Sequence, residues 1–228
     1  MNKKTVVIIA ILIFLAACLP QRAPLDIPYV KQEGPTCVPS QVTMALKYYY
    51  PEKDYTLEQV DQMIGREGKN WAWFSQALPI LIQEGLDAHY YSLTPYEQLT
   101  PEYVLEYYGE DNGKLINDVT DWEGLTESIN FLKTSKRYTK KKLSWQAVER
   151  AFNQGDVIMM IIDYNTLKGM PGLYSGHGVT ITYINQTQVI FHNSASEPNQ
   201  KAKKQEFIDA WNAFGTDNDI IIIKGKLE

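Results

Sequence analysis

Apolar residues first fall into a helical rhythm just after Cys37. Val38, Val42, Ala45, Leu46 and Tyr49 share one face, and Pro51 stops the run. Pro39 suits a first turn, where its missing N–H costs nothing. Thr56 and Gln59 form a capping box for a second helix, with Leu57, Val60, Met63 and Ile64 as its stripe. A third helix is expected through "FSQALPILIQE", interrupted or kinked at Pro79 and ended by Gly85. "DAHYYSL" then reads as a strand. Between residues 95 and 143 the periodicity fades. That stretch is tyrosine-rich and acidic, with Glu110 and Asp111 in a loop-like part, then basic at "KRYTKKK", a solvated face or loop.

The last third is regular again. Ser144 caps a helix, "WQAVERAFNQ", that ends at Gly155, and "VIMMIID" follows as a buried strand. "HGVTITYI" and "QVIFHN" are β-rich runs separated by Asn185 to Thr187, the pattern of a hairpin. "KKQEFIDAWNAFG" gives a helix with Phe207, Trp211 and Phe214 inward, and "DIIIIKG" a last strand. Helices come before most strands, which predicts an α+β fold rather than alternating α/β.

The N-terminus has the layout of a secretory signal: Lys3 and Lys4, then apolar "TVVIIAILIFLAA", then Cys18. The apolar run is short of the ~20 residues a spanning helix needs. "LAAC" resembles the lipobox of bacterial lipoproteins, which implies that residues 1–17 are removed and Cys18 becomes the acylated mature N-terminus. Residues 18–25, polar and proline-containing, then read as a short tether, and 26–228 as one domain. The expected location is the outer side of the cytoplasmic membrane or the outer membrane, held through lipid on Cys18.

Composition narrows the chemistry. The net charge of −5 becomes −7 without residues 1–17, with 20 basic against 27 acidic residues. No basic stripe is present, which argues against a nucleic-acid partner. There is no P-loop, dinucleotide glycine fingerprint, HExxH or CxxC pair, so neither a cofactor nor a metal is implied.

With Cys18 lipidated, Cys37 is a lone thiol in an exported protein. It lies at or just before the positive end of its helix dipole, which favours thiolate over thiol. A buried apolar thiol is the other role such a cysteine takes. A reactive cysteine needs an oriented base, and the chain has three histidines. His89 sits among tyrosines and reads as a surface or satisfied core residue. His177 opens a strand between two glycines, and His192 directly precedes Asn193. By strand alternation His177 shares a face with Val179 and Ile181, and Asn193 with Val189 and Phe191. Both point inward, whereas His192 points away. His177 and Asn193 would satisfy each other; a histidine held by a backbone carbonyl is the alternative. Both numbers are odd, so in a regular hairpin the two share a face only if paired numbers sum to an even value. That requires an odd loop or one bulge.

Gln32, Cys37, His177 and Asn193, in this chain order, resemble the papain fold. "PYVKQEGPTCVPS" is most similar to the compact papain-like peptidases related to bacteriocin-leader-processing domains, in which an "IPY-x-x-Q" strand leads into the cysteine helix. "QGDVIMMII", "SGHGVTITYI", "FHNS" and "EFIDAW" resemble the remainder of that domain. The resemblance spans about residues 26–225. It implies a helical N-terminal lobe carrying the nucleophile helix, packed on a C-terminal antiparallel sheet. It also implies Cys37 as nucleophile, His177 as base, Asn193 as its orienter and Gln32 as oxyanion donor. The function implied is a membrane-tethered cysteine peptidase acting on peptide or protein substrates. The same residues would serve a cell-wall amidase or transpeptidase, or a silent peptide-binding lipoprotein. Two positions depart from the pattern: Val38 where glycine usually follows the cysteine, and Asn193 where the leader-processing group has aspartate.

Overall fold

The computed structural model describes residues 22–66 and 70–228. The segment read as a secretory signal, and Cys18, lie outside the described residues. The chain runs α1 (Cys37–Tyr49), α2 (Leu57–Ile64), α3 (Phe74–Gln83), β1 (Leu86–Ser92), α4 (Pro101–Tyr108), α5 (Glu110–Val119), α6 (Trp122–Thr134) and β2 (Tyr138–Lys140). It continues α7 (Trp145–Gln154), β3 (Val157–Asp163), α8 (Tyr164–Lys168), β4 (Gly176–Ile184), β5 (Gln188–Asn193), β6 (Gln200–Lys203), α9 (Lys204–Trp211) and β7 (Ile220–Lys226).

All seven strands form one sheet in the order β2-β1-β7-β3-β4-β5-β6. Pairing is antiparallel except between β1 and the short edge strand β2. The central strands explain the unbroken apolar runs in the sequence. Ile220 to Ile223 and Val157 to Met160 are buried at every position, so both faces of the sheet's middle are covered. The α1 helix packs on β4, α3 on β1 and α9 on β3. The fold is α+β, with the Cys37 helix laid on the sheet. Trp211, Tyr90, Phe74, Phe152, Phe191 and Phe207 are the largest fully buried side chains. Each contributes on the order of 1.5–3 kcal/mol by leaving water.

Several local readings change. The α3 helix runs through Pro79 rather than being interrupted there, and lacks the bond that proline cannot donate. The α9 helix ends at Trp211, so Phe214 lies beyond it, 59% exposed, against the rings of Tyr107 and Tyr108. Residues 95–143 hold three helices and a strand. Glu110 and Asp111 open α5 rather than a loop, and the basic run contains β2. Leu25, in the segment read as a tether, is already buried, and its N–H donates to Thr182 O at 2.8 Å.

Candidate active site

Cys37 is the first residue of α1, and its helix start is unusual. The preceding Thr36 does not cap the helix: its hydroxyl is engaged with both the N–H and the carbonyl of Glu33. The first-turn N–H groups of α1 therefore stay free to face negative charge. The Val38 and Gly178 N–H groups donate to the half-buried sulfur, and the His177 ring shares a side-chain hydrogen bond with it. Gly178 has no side chain for a reason: a Cβ there would overlap Gln41 Oε1. Gln41, one turn after Cys37, donates from Nε2 to Val179 O at 2.5 Å and so ties the Cys37 helix to the His177 strand.

His177 Nε2 donates to Asn193 Oδ1 at 2.7 Å. The direction is fixed because Asn193 Oδ1 also accepts from Ala195 N–H at 3.0 Å, which identifies it as the carbonyl end. Asn193 Nδ2 in turn donates to Gln200 Oε1 at 3.2 Å, and Gln200 Nε2 to Ser196 Oγ at 2.7 Å. With Nε2 so occupied, Nδ1 is the ring nitrogen left for the sulfur.

The hairpin reaches this geometry by a bulge. Near the turn, Asn185 pairs Gln188 around the two-residue loop Gln186–Thr187, and Ile184 pairs Val189. That register alone would turn Asn193 away. The register shifts between Ile181 and Tyr183, leaving Thr182 unpaired, and beyond it Val179 pairs Asn193. One extra residue in β4 thus moves Asn193 onto His177's face.

The residues before Cys37 are extended but form no ladder; separate hydrogen bonds lace them to β4 and β5. His192 Nε2 donates to Ile27 O at 2.8 Å, Tyr29 Oη to Asn193 O at 3.1 Å, and Gln32 N to Ser194 O at 2.9 Å. Ser194 Oγ donates to Gln32 Oε1 at 2.8 Å, while Gln32 Nε2 donates to Gly34 O at 2.8 Å. The amide is thus oriented at both ends, and its second N–H is left to face the cavity that Gln32 lines together with Cys37. His192 points away from the site and accepts Asn199 N–H on Nδ1 at 3.2 Å, and burial lowers its ring below the ordinary imidazole value. His89 bonds Thr139 Oγ1 at 2.9 Å in β1 and takes no part.

Burial pushes the Cys37 thiol up. The hydrogen bond and positive charge of His177, with the Gly178 and Val38 N–H groups, outweigh that and hold the thiol below its ordinary value. At His177 burial lowers the ring, but the Cys37 hydrogen bond and charge, then Asn193, raise it above the ordinary imidazole value. Opposite shifts of this kind belong to one thiolate–imidazolium pair, titrating as a unit.

Cys37 and His177 open onto a cavity of about 240 Å³ that is walled by Trp73, Phe74, Tyr108 and Tyr174 and reaches Asp217 and Asp219. Val38, the departure noted above, is buried beside the sulfur and lines it. The structure thus brings together Gln32, Cys37, His177 and Asn193. Sequence reasoning missed Gln41, Ser194 and Gln200, which orient them. Only Gln41 left a signal, as a polar residue one turn from Cys37.

The chain matches the model of the Peptidase_C39 like family over residues 24–218. It belongs to that family, whose fold is papain-like. No curated protein matches the chain significantly. Similar solved structures include a C39-like peptidase from Bacillus anthracis, at 11% identity and TM-score 0.48, covering 89% of this chain and 96% of that one. The peptidase domain of Streptococcus ComA, a bifunctional ABC transporter, has 10% identity and TM-score 0.47, with 87% and 98% covered. Xylellain, a cysteine protease from Xylella fastidiosa, has 13% identity and TM-score 0.45, with 93% and 88% covered.

Proposed function

We propose that this protein hydrolyses peptide bonds with Cys37 as nucleophile, His177 as base and then acid, Asn193 as orienter, and Gln32 with the Cys37 N–H as oxyanion donors. The Cys37–His177–Asn193 constellation carries this reading. The thiolate attacks the substrate carbonyl carbon, and the oxyanion is received by Gln32 Nε2–H and Cys37 N–H. As the carbon–nitrogen bond breaks, His177 Nδ1–H gives its proton to the leaving amine, and a thioester remains on Cys37. Water then attacks the thioester, losing its proton to Nδ1. The carboxylic acid departs and the sulfur is freed as thiolate. Asn193 adds no charge but keeps Nε2–H occupied, so Nδ1 is always the nitrogen that exchanges protons with sulfur.

The site of action follows from the sequence: "LAAC" after a short apolar run supports a mature chain anchored by acyl groups on Cys18, outside the cytoplasmic membrane. Cleavage of a fluorogenic peptide library tests the chemistry. Turnover by the wild type that is lost in Cys37→Ser and His177→Ala, both still folded, is expected; equal turnover in Cys37→Ser would refute it. Mass spectrometry of the N-terminal peptide from membranes tests the anchor. Acylated Cys18 is expected, and a mature start elsewhere would refute it.

A further inference from the structure

The proposed reaction leaves two acids without a role. Asp217 and Asp219 line the cavity beside Cys37 and are more than nine-tenths buried, at 9% and 7% exposed. Among the described residues neither has an ion pair. Their neighbours are neutral hydroxyls: Thr94 and Tyr108 donate to Asp217 Oδ2 at 3.0 and 2.7 Å, and Tyr90 donates to Asp219 Oδ1 at 2.7 Å. Burial, then the charge of Asp217, pushes the Asp219 carboxyl up to about 8. Buried acids that serve structure alone are paired with cations within the protein; these two instead line an open cavity.

The walls of the cavity are built as well. Tyr174 is fitted between Gly176 and Gly215, where a Cβ on either glycine would press into it. Its phenol is pushed far up by burial and by the charges of Asp219, Asp217, Asp163 and Cys37. The ring lines the same cavity as the acids and Cys37. Its hydroxyl has no hydrogen-bond partner among the described residues. Trp73 and Phe74 complete an aromatic lining suited to an aliphatic stem that ends in a cation. At about 240 Å³ the space far exceeds the ~30 Å³ of one water.

We propose that this cavity receives a basic side chain, lysine or arginine, of the peptide substrate next to the scissile bond, where Asp217 and Asp219 pair its cation. The proposal rests on Cys37 being the peptidase nucleophile. The helical segment that sequence periodicity left unread contributes directly, because Tyr108 and Ile116 from α4 and α5 form part of the wall.

Two matched measurements separate the pocket from the chemistry. In the first, peptidyl chloromethyl ketones carrying lysine or norleucine, at each of the two residues before the warhead, alkylate Cys37. In the second, the corresponding peptides are tested for cleavage. Lysine should exceed norleucine by about tenfold or more in labelling rate. That ratio should fall toward one in Asp217→Asn and Asp219→Asn. Asparagine accepts the left-handed backbone found at Asp217 (φ 48°), so the first variant should fold. A wild-type ratio near one, or a ratio kept in both variants, overturns the pocket. Lysine-selective labelling with no peptide cleaved upholds the pocket and overturns the peptidase reading. Cleavage with no preference at either residue does the reverse.

Discussion

His177 on β4 and Asn193 on β5 are joined by a 2.7 Å hydrogen bond because Thr182, between them in the chain, is left out of the ladder. A hairpin with the same two-residue turn and no bulge would present His192 instead. The bulge is itself tied down, since Thr182 O accepts Leu25 N–H at 2.8 Å and Thr182 Oγ1 donates to Ile190 O at 3.2 Å.

Asn193→Ala should leave the His177 Nε2–H unpaired. An unpaired buried donor costs about 1–3 kcal/mol, which would correspond to a loss in kcat of about fivefold to 150-fold. Asn193→Asp should retain most activity because the acceptor remains. Steady-state kinetics of the two variants check this; equal losses in both would show that the bond does not orient the base.

Gln32→Ala should lower kcat by about 10²–10³, the cost of one oxyanion donor, with little change in KM. Ser194→Ala should give a smaller loss of the same kind, because it releases Gln32 Oε1 and lets the amide turn. A KM effect without a kcat effect would place Gln32 in substrate binding alone.

Gly178→Ala should force Gln41 and α1 away from β4, destabilising the fold by about 1–3 kcal/mol. It should also disturb the N–H bond from residue 178 to the sulfur, so the thiol should titrate higher than in the wild type. Denaturant unfolding and pH-dependent alkylation measure the two effects separately.

Asp219 supplies a stability prediction with a definite sign. Its folded pKa of about 8 lies above an unfolded value of about 4, so between these the folded chain holds the extra proton. The contribution is full below the unfolded value and is lost as pH rises through the folded one. Asp219→Asn should therefore flatten the fall in Tm toward pH 8, and raise Tm there by about 2–4 °C for each ~1 kcal/mol recovered. Scanning calorimetry at several pH values checks it; an unchanged slope would refute it.

Local patterns in the sequence were enough to place α1, its cysteine and the two strands bearing His177 and Asn193, because alternation and caps are short-range signals. Parity along the chain even required an odd loop or a bulge, though only the structure decides for Thr182. In residues 95–143 three short helices follow one another closely, and the buried stripe of α6 (Leu125, Ser128, Ile129, Leu132) includes a serine, so no single period stands out along the stretch. The pairing of β1 with β2 spans some fifty residues, so no local pattern announces it. The orienting roles of Ser194 and Gln200 depend on contacts between distant segments in one case and a loop conformation in the other. No sequence pattern singles out Asp217 and Asp219; the cavity they share with Cys37 does.

The thiolate–imidazolium pair is tested most directly by the pH dependence of Cys37 alkylation, with the site of modification mapped by mass spectrometry. The directions at Cys37 and His177 predict alkylation that stays fast well below pH 7 and becomes slow there in His177→Ala. Alkylation that follows an ordinary thiol titration near about 8.5, alike in the wild type and the variant, would contradict the pair and with it the proposed nucleophile.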